Sequence, residues 1–442
     1  MPEPGQLAYA SWPFRPLQER SLEENERWWQ HCYLPGGAIA SLQNEAHWCV
    51  LAGGPGSGKS VALAALKRAE AGKSFIVEYP ADRWLGAKRA WVPEGNHLAQ
   101  IMAQAGMLVS KTLAAAPKST ANLTDLQRGF VRWLLQKFNG SRAFDRWVDG
   151  LTPDLAAPFK RVPFSDIYPT TDARDAHGQI DELINLIRRI GYQRVLVVFD
   201  LGLADGEANL AQLRELYGRD ELMDHPGFAI VAALPASIMA AAGIVQAAQG
   251  RLSVTHLNWD AAQLRTMVGQ HLRAALDRPA LELEDFAEDG LWVKIEKLLL
   301  GEYEAYSPSG WVAMAETLAY LVGSRNRRLS PPLKSGQFSN IGREFFGRHM
   351  PLRLDMAKHG IWRGPKFIVL TDQPLALLER LYIGAGQPIS SEELREVSGS
   401  PGNLYSITTR LRKQIEPFPD KPIYVHSSRG EGGYWLEHFI SN

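Results

Sequence analysis

Apolar positions along the chain follow two alternating rhythms. Short unbroken runs predict strands buried on both faces. They are "WCVLAG" (Trp48–Gly53), "SFIVEYP" (Ser74–Pro80), "RVLVVFD" (Arg194–Asp200), "FAIVAALP" (Phe228–Pro235) and "LSVTHLNW" (Leu252–Trp259). Between them, "SVALAALKRAEA", "HLAQIMAQAGMLVSKTL", "DLQRGFVRWLLQKF" and "QIDELINLIRRI" repeat apolar residues every three or four positions, the rhythm of amphipathic helices. Gly191 stops the last of these. Strands alternating with helices predict an α/β domain with a mainly parallel sheet, here with a helical insertion over about 97–165.

After the fifth strand the pattern becomes helical, from "LNWDAAQLRTMVGQHLRAAL", with Asn258 or Asp260 as the N-cap, to about Gly323. "RNRRLSPPLKSGQFSNIGREFFGRHM" (325–350) is polar, with prolines, serines and glycines, and predicts an irregular linker. The grammar then changes once more. "LRLDMAKHGIWRGPKFIVL" reads as short strands turning at Arg363-Gly364. "DQPLALLERLYIGAG", "SSEELREV" (capped by Ser390 or Ser391) and "NLYSITTRLRKQIEP" read as three helices, and "PIYVHSSRGEGGYWLE" as a hairpin. The expected organisation is an N-terminal arm (1–45), an α/β core (46–255), a helical region (256–324), a linker (325–349) and a C-terminal domain (350–442).

One stretch carries sharp chemistry. Gly53-Gly54-Pro55-Gly56-Ser57-Gly58-Lys59-Ser60 fits G-x-x-x-x-G-K-[ST], with a strand before it and a helix after it. Glycines let backbone N–H groups turn toward a phosphate, because side chains there would block its approach. Lys59 then reaches the β- and γ-phosphates, and the Ser60 hydroxyl binds Mg²⁺. ATP or ADP with Mg²⁺ is the expected ligand. Asp200 ends an apolar strand, where a carboxylate would hold the metal directly or through water.

Composition excludes more than it suggests. Forty-eight basic and forty-eight acidic residues cancel, so no global charge points to a nucleic acid or membrane. Two cysteines, Cys32 and Cys49, are too few for a disulfide framework or a zinc site, which favours a cytoplasmic setting. The first residues lack the pattern of a signal peptide, and no apolar run approaches membrane-spanning length.

The spacing from the glycine-rich loop to Asp200, with a strand and helices between, resembles the additional-strand P-loop ATPases, including the AAA+ and STAND families. The resemblance implies a P-loop NTPase parallel sheet with a helical lid. Many relatives place a catalytic acid directly after the metal aspartate, whereas this chain has Leu201 there. Asp205, in "DLGLADGE", is then the candidate base, as in the NACHT-type pattern. The sensor 1 region offers Leu234, Pro235 and Ser237, and Ser309 stands where a lid arginine is expected. These departures imply slow turnover or a switch.

Residues 352–436 resemble the OmpR/PhoB-type winged helix-turn-helix. The marks are Leu370-Thr371 after the strands, Arg410-Leu411-Arg412-Lys413 in the third helix and Arg429 to Tyr434 in the wing. That helix would present Asn403, Tyr405, Ser406, Thr409, Arg412 and Lys413 to the major groove, with Leu404, Ile407, Leu411 and Ile415 packed inward. By resemblance Arg429 would probe the minor groove. The expected whole is an ATP-binding switch that controls a DNA-binding winged helix domain in transcription or another DNA-directed process, with homo-oligomerisation on ATP binding as one route. Two alternatives stay open. One is a DNA-loading ATPase like the archaeal origin-recognition initiators; the other is a nucleotide-gated adaptor whose winged helix binds protein.

Overall fold

The structure is a computed structural model, and it describes residues 10–35, 48–80, 97–161, 176–219, 222, 225–303, 305–323, 329–384, 386–398, 401–428 and 433–437. The chain divides into two compact units. One comprises Pro35–Gly54 and Gly58–Asn258; the other comprises Met1–Leu34, Pro55–Ser57 and Trp259–Asn442.

The first is a five-stranded, all-parallel α/β sheet. In chain order it runs β1 (Cys49–Gly53), α1 (Lys59–Glu70), β2 (Ser74–Glu78), α2 (His97–Ala115), α3 (Asp125–Asn139), α4 (Ala176–Arg189), β3 (Arg194–Asp200), β4 (Phe228–Pro235) and β5 (Ser253–His256). The spatial order is β2-β3-β4-β1-β5, so β4 lies between β1 and β3. All five strands fall where the apolar runs predict them. The central strands are buried along their length because helices cover both faces, and β4 is buried at every position. Thr124 caps α3 in a capping box with Gln127. Gly191 leaves α4 at φ 107°, a conformation that favours glycine and turns the chain into β3.

In the second unit, helices α5 (Ala261–Leu276), α6 (Asp289–Tyr303), α7 (Pro308–Gly323) and α8 (Phe338–His349) come first. Asp260 is the N-cap of α5, accepting from the Gln263 N–H. The N-terminal segment packs here too: the Ala10 N–H bonds to Ala275 O, and Phe14 stacks on His271. Next come the antiparallel strands β6 (Leu352–Asp355), β7 (Gly360–Arg363) and β8 (Lys366–Val369), with Gly364 at φ 55° in the turn. Then follow α9 (Asp372–Ile383), β9 (Ile389–Ser390), α10 (Arg395–Ser398), α11 (Pro401–Ile415), β10 (Val425–Ser427) and β11 (Gly433–Leu436), the last pair forming a hairpin whose β11 also pairs with β9.

Two segments differ from the sequence expectation. Phe338–His349, inside the expected irregular linker, is a regular helix that buries Ile341, Phe345 and Phe346. Its apolar residues keep helical spacing, and the glycines and serines that disguise it are compatible with a helix stabilised by packing. The expected helix "SSEELREV" is instead a two-residue strand, a turn in which Ser390 Oγ accepts from the Glu393 N–H, and the four-residue α10. Pairing of Ser390 with Gly433 of β11 takes up the start of that segment, which no local pattern announces.

One buried cluster runs from Leu264 through Phe345 and Phe346 to Leu436, so the helices and the C-terminal strands share a core. A buried ion pair adds a polar tie. The Arg363 guanidinium donates to both oxygens of Glu302, at 2.9 and 2.6 Å, and to Ile415 O at 2.6 Å. Glu302 lies at the end of α6, Arg363 ends β7 and Ile415 ends α11. Sequence reading missed this pair, since Arg363 reads as a turn residue.

Candidate nucleotide site and the outer face of α11

The glycine-rich loop joins β1 to α1. Gly56 and Gly58 adopt φ of 70° and 88°, the left-handed region where side chains cost about 1–2 kcal/mol. At Gly54 the position of a Cβ opens on empty space, with no atom within 4 Å. The loop thus leaves room where a phosphate would approach. α1 begins at Lys59, directing its free N–H groups and the positive end of its dipole to that space.

Lys59 Nζ donates to Gly53 O at 3.1 Å and Gly54 O at 2.8 Å, and no carboxylate among the described residues pairs with it. Burial pushes the ammonium below its usual value, while the charge of Asp200 works in the other direction. A half-buried cation held only by carbonyls suits an anionic ligand. Ser60 is exposed in the first turn of α1. Asp200, exposed at the end of β3, stands opposite Ala233 of β4, which in turn stands opposite Leu51 of β1. Two strand spacings therefore separate Asp200 from the loop strand, roughly 10 Å. These residues fit Mg²⁺ and a triphosphate: Ser60 and Asp200 would hold the metal, the loop N–H groups and Lys59 the phosphates.

The acid that would orient water is less defined. Leu201 is fully buried, so the position after Asp200 supplies no polar group. Asp205 falls in a short helix, Leu203–Ala208, rather than a turn, and its side chain lies outside the described residues. Leu234 and Pro235 end β4 buried, and Ser237 is exposed in the next helix.

Pro55–Ser57, the tip of the loop, has its partners within the second unit. The Ser309 N–H and the Ser307 hydroxyl both donate to Gly56 O at 3.1 Å, and Trp259 Nε1 donates to Ser57 O at 2.9 Å. Ser309, noted in the sequence for replacing an arginine, therefore touches the tip through its backbone.

In α11, Leu404, Ile407, Leu411 and Ile415 are buried, as their spacing predicts. Tyr405, Ser406 and Lys413 are exposed, and Asn403 and Thr409 are half-buried. Thr409 spends its hydroxyl on Tyr405 O. Arg412 does not stand free on the outer face. Its Nε donates to Val425 O at 3.0 Å and its Nη2 to Ser427 Oγ at 3.3 Å, bracing β10. Arg410 is exposed and donates to Gln373 of α9. Arg429 lies outside the described residues.

Glu416 was not anticipated. Its buried carboxylate accepts from the N–H groups of Ile423, Tyr424 and Val425 at 2.7–2.8 Å, fixing the path from α11 into β10.

No family model matches the chain, and no curated protein matches it. Two solved structures, both of mutant RuvB from Thermotoga maritima, match it with TM-scores of 0.31 and 0.32, at 12% and 13% identity. Each match covers 95% of this chain and 95% of the other. Likeness of that degree carries no argument, so the reading of the site rests on its own residues.

Proposed function

We propose that the protein is a P-loop ATPase of slow turnover, of the additional-strand type, whose nucleotide state controls a C-terminal winged helix domain that binds DNA. The observation that carries the nucleotide half is the loop itself. Two glycines in the left-handed region, a helix starting at Lys59 and a strand-end carboxylate two strands away form a site for a metal-bound triphosphate. The position of β4 between β1 and β3 supports the additional-strand assignment. Slow hydrolysis follows from the buried Leu201 and from the absence of a polar side chain at the end of β4.

The DNA half rests on α11 and the elements around it. Three strands, three helices and a terminal hairpin follow in the order of a winged helix, and α11 exposes Tyr405, Ser406, Arg410 and Lys413. With Arg412 bracing β10, the base-reading load moves to Asn403, Tyr405, Ser406 and Lys413, and Arg410 becomes a phosphate contact.

The experiment uses the full chain. ATP affinity is measured by calorimetry for the parent, Lys59→Ala and Asp200→Asn, and DNA sites are selected from a random pool with and without ATP. Lys59→Ala should lose tight ATP binding, whereas Asp200→Asn should keep binding and lose Mg²⁺-dependent turnover. ATP and a selected DNA site should change each other's affinity by the same factor, since binding couplings are reciprocal. Unchanged ATP affinity in Lys59→Ala refutes the nucleotide site. Failure to enrich any DNA sequence in either state refutes the DNA half, and enrichment without coupling refutes the switch.

A further inference from the structure

The tip of the glycine-rich loop, Pro55–Ser57, belongs to the second unit together with three donors that hold it. Two converge on Gly56 O: the Ser307 hydroxyl and the Ser309 N–H, each at 3.1 Å. The third, Trp259 Nε1, meets Ser57 O at 2.9 Å. Two consecutive carbonyls of the loop are therefore drawn to donors outside it.

Those bonds also fix the opposite side of each peptide unit. Across a planar trans peptide, the C=O of one residue and the N–H of the next point in opposite directions. With Gly56 O turned to Ser307 and Ser309, the Ser57 N–H points away from them. With Ser57 O turned to Trp259, the Gly58 N–H points away from the indole. Gly56 and Gly58, at φ of 70° and 88°, let successive peptides turn in this way, and N–H groups so arranged make a concavity for an anion. The donors have little freedom of their own. Ser307 is 4% exposed, and its own carbonyl accepts from the Trp311 N–H in the first turn of α7. Gly310 lies against the Tyr303 ring, where a Cβ would come within 2.5 Å of Cε2. Trp259 directly precedes Asp260, the cap of α5.

We propose that Trp259 and Ser307 are positioning residues for the phosphate loop. They act through the Gly56 and Ser57 carbonyls to keep the Ser57 and Gly58 N–H groups aimed at the phosphates. The inference rests on the nucleotide reading and deepens it. A loop without these bonds can turn a carbonyl toward the phosphates, and binding then has to reorder it, a cost that preorganisation avoids. Backbone N–H groups of such loops cradle the α- and β-phosphates, which ATP and ADP share. Removing the bonds therefore weakens both nucleotides by the same factor, and the loss falls on KM for ATP rather than on kcat.

The test uses the full chain and measures ATP and ADP affinity by calorimetry, KM and kcat for ATP, and the melting temperature without ligand. Trp259→Phe keeps a ring and leaves Ser57 O without its donor; both nucleotides should bind about tenfold more weakly. Ser307→Ala should cost about threefold, because Gly56 O keeps the Ser309 N–H. Parent affinity in both variants overturns the proposal, even with a lowered melting temperature, which marks a purely structural role. So does a loss for ATP alone with ADP binding intact. A parent chain that binds neither nucleotide overturns the nucleotide reading and this inference with it. Binding that Lys59→Ala abolishes and both variants keep overturns the positioning role alone.

Discussion

Replacing Arg363 or Glu302 offers a quantitative test of how the C-terminal strands are held. Both side chains are nearly excluded from solvent, at 6% and 7% exposure, and the guanidinium meets the carboxylate through two bonds. Arg363→Met leaves Glu302 buried with only Lys366 Nζ, 3.9 Å away, as a cation. Stranding one partner of a buried pair costs about 3–5 kcal/mol. Glu302→Leu strands the guanidinium and should cost a similar amount. The double variant Arg363→Met/Glu302→Leu removes both charges and leaves only Ile415 O short of a donor, a loss of about 1–3 kcal/mol. The two single losses add to at least about 6 kcal/mol, so the double variant should be more stable than either single one. The assay is urea unfolding of the full chain at pH 7, followed by circular dichroism, with hydrogen exchange at β7 and α6 identifying the unit that melts. A double variant as unstable as the sum of the singles would refute the reasoning.

Three further outcomes are expected. Gly56→Ala places a methyl 2.6 Å from Ser307 Oγ and 2.7 Å from Ser309 Cβ, at a φ of 70°, so it should weaken ATP binding and lower the melting temperature; wild-type values for both would show the tip to be tolerant. Glu416→Ala leaves three N–H groups without their acceptor and should destabilise by roughly 3 kcal/mol or more, with fast hydrogen exchange in β10, whereas Glu416→Gln, which keeps an acceptor, should cost less; equal costs would contradict this. Burial lowers His97, His271 and His349 to about 4, so between pH 6.5 and 4 the unfolded chain takes up protons that the folded chain refuses. Stability should therefore fall as pH drops through that window, by up to about 1.4 kcal/mol per pH unit for each histidine, with no contribution above it, and His271→Leu should flatten the slope of urea midpoint against pH.

What could be read from the sequence follows from the range of the interactions involved. The five strands were legible because burial on both faces forces unbroken apolar runs, and the loop because its backbone conformations and its lysine depend on adjacent residues. Helix α8 was hidden because its regularity depends on burying Ile341, Phe345 and Phe346, not on its own propensities. The segment after Gln387 was misread for the converse reason: its helix formers are overruled by pairing of Ile389 and Ser390 with β11, more than forty residues away.

The same logic explains the changed role of Arg412. Its position on α11 follows from helical spacing, which turns Leu404, Ile407, Leu411 and Ile415 inward and leaves Tyr405, Ser406 and Lys413 exposed, with Asn403, Thr409 and Arg412 half-buried. Whether a side chain on that face is free depends on where β10 passes, and Glu416 decides this by gathering three N–H groups of the connecting segment. Arg412 then meets Val425 O and Ser427, so its replacement would disturb the hairpin as well as any DNA contact. Lys413, one residue further and exposed, carries no such burden. Lys413→Ala should therefore reduce DNA affinity and lower the salt slope by about one with the hairpin intact, while Arg412→Ala should also speed exchange in β10. Identical exchange in the two variants would return Arg412 to the outer face.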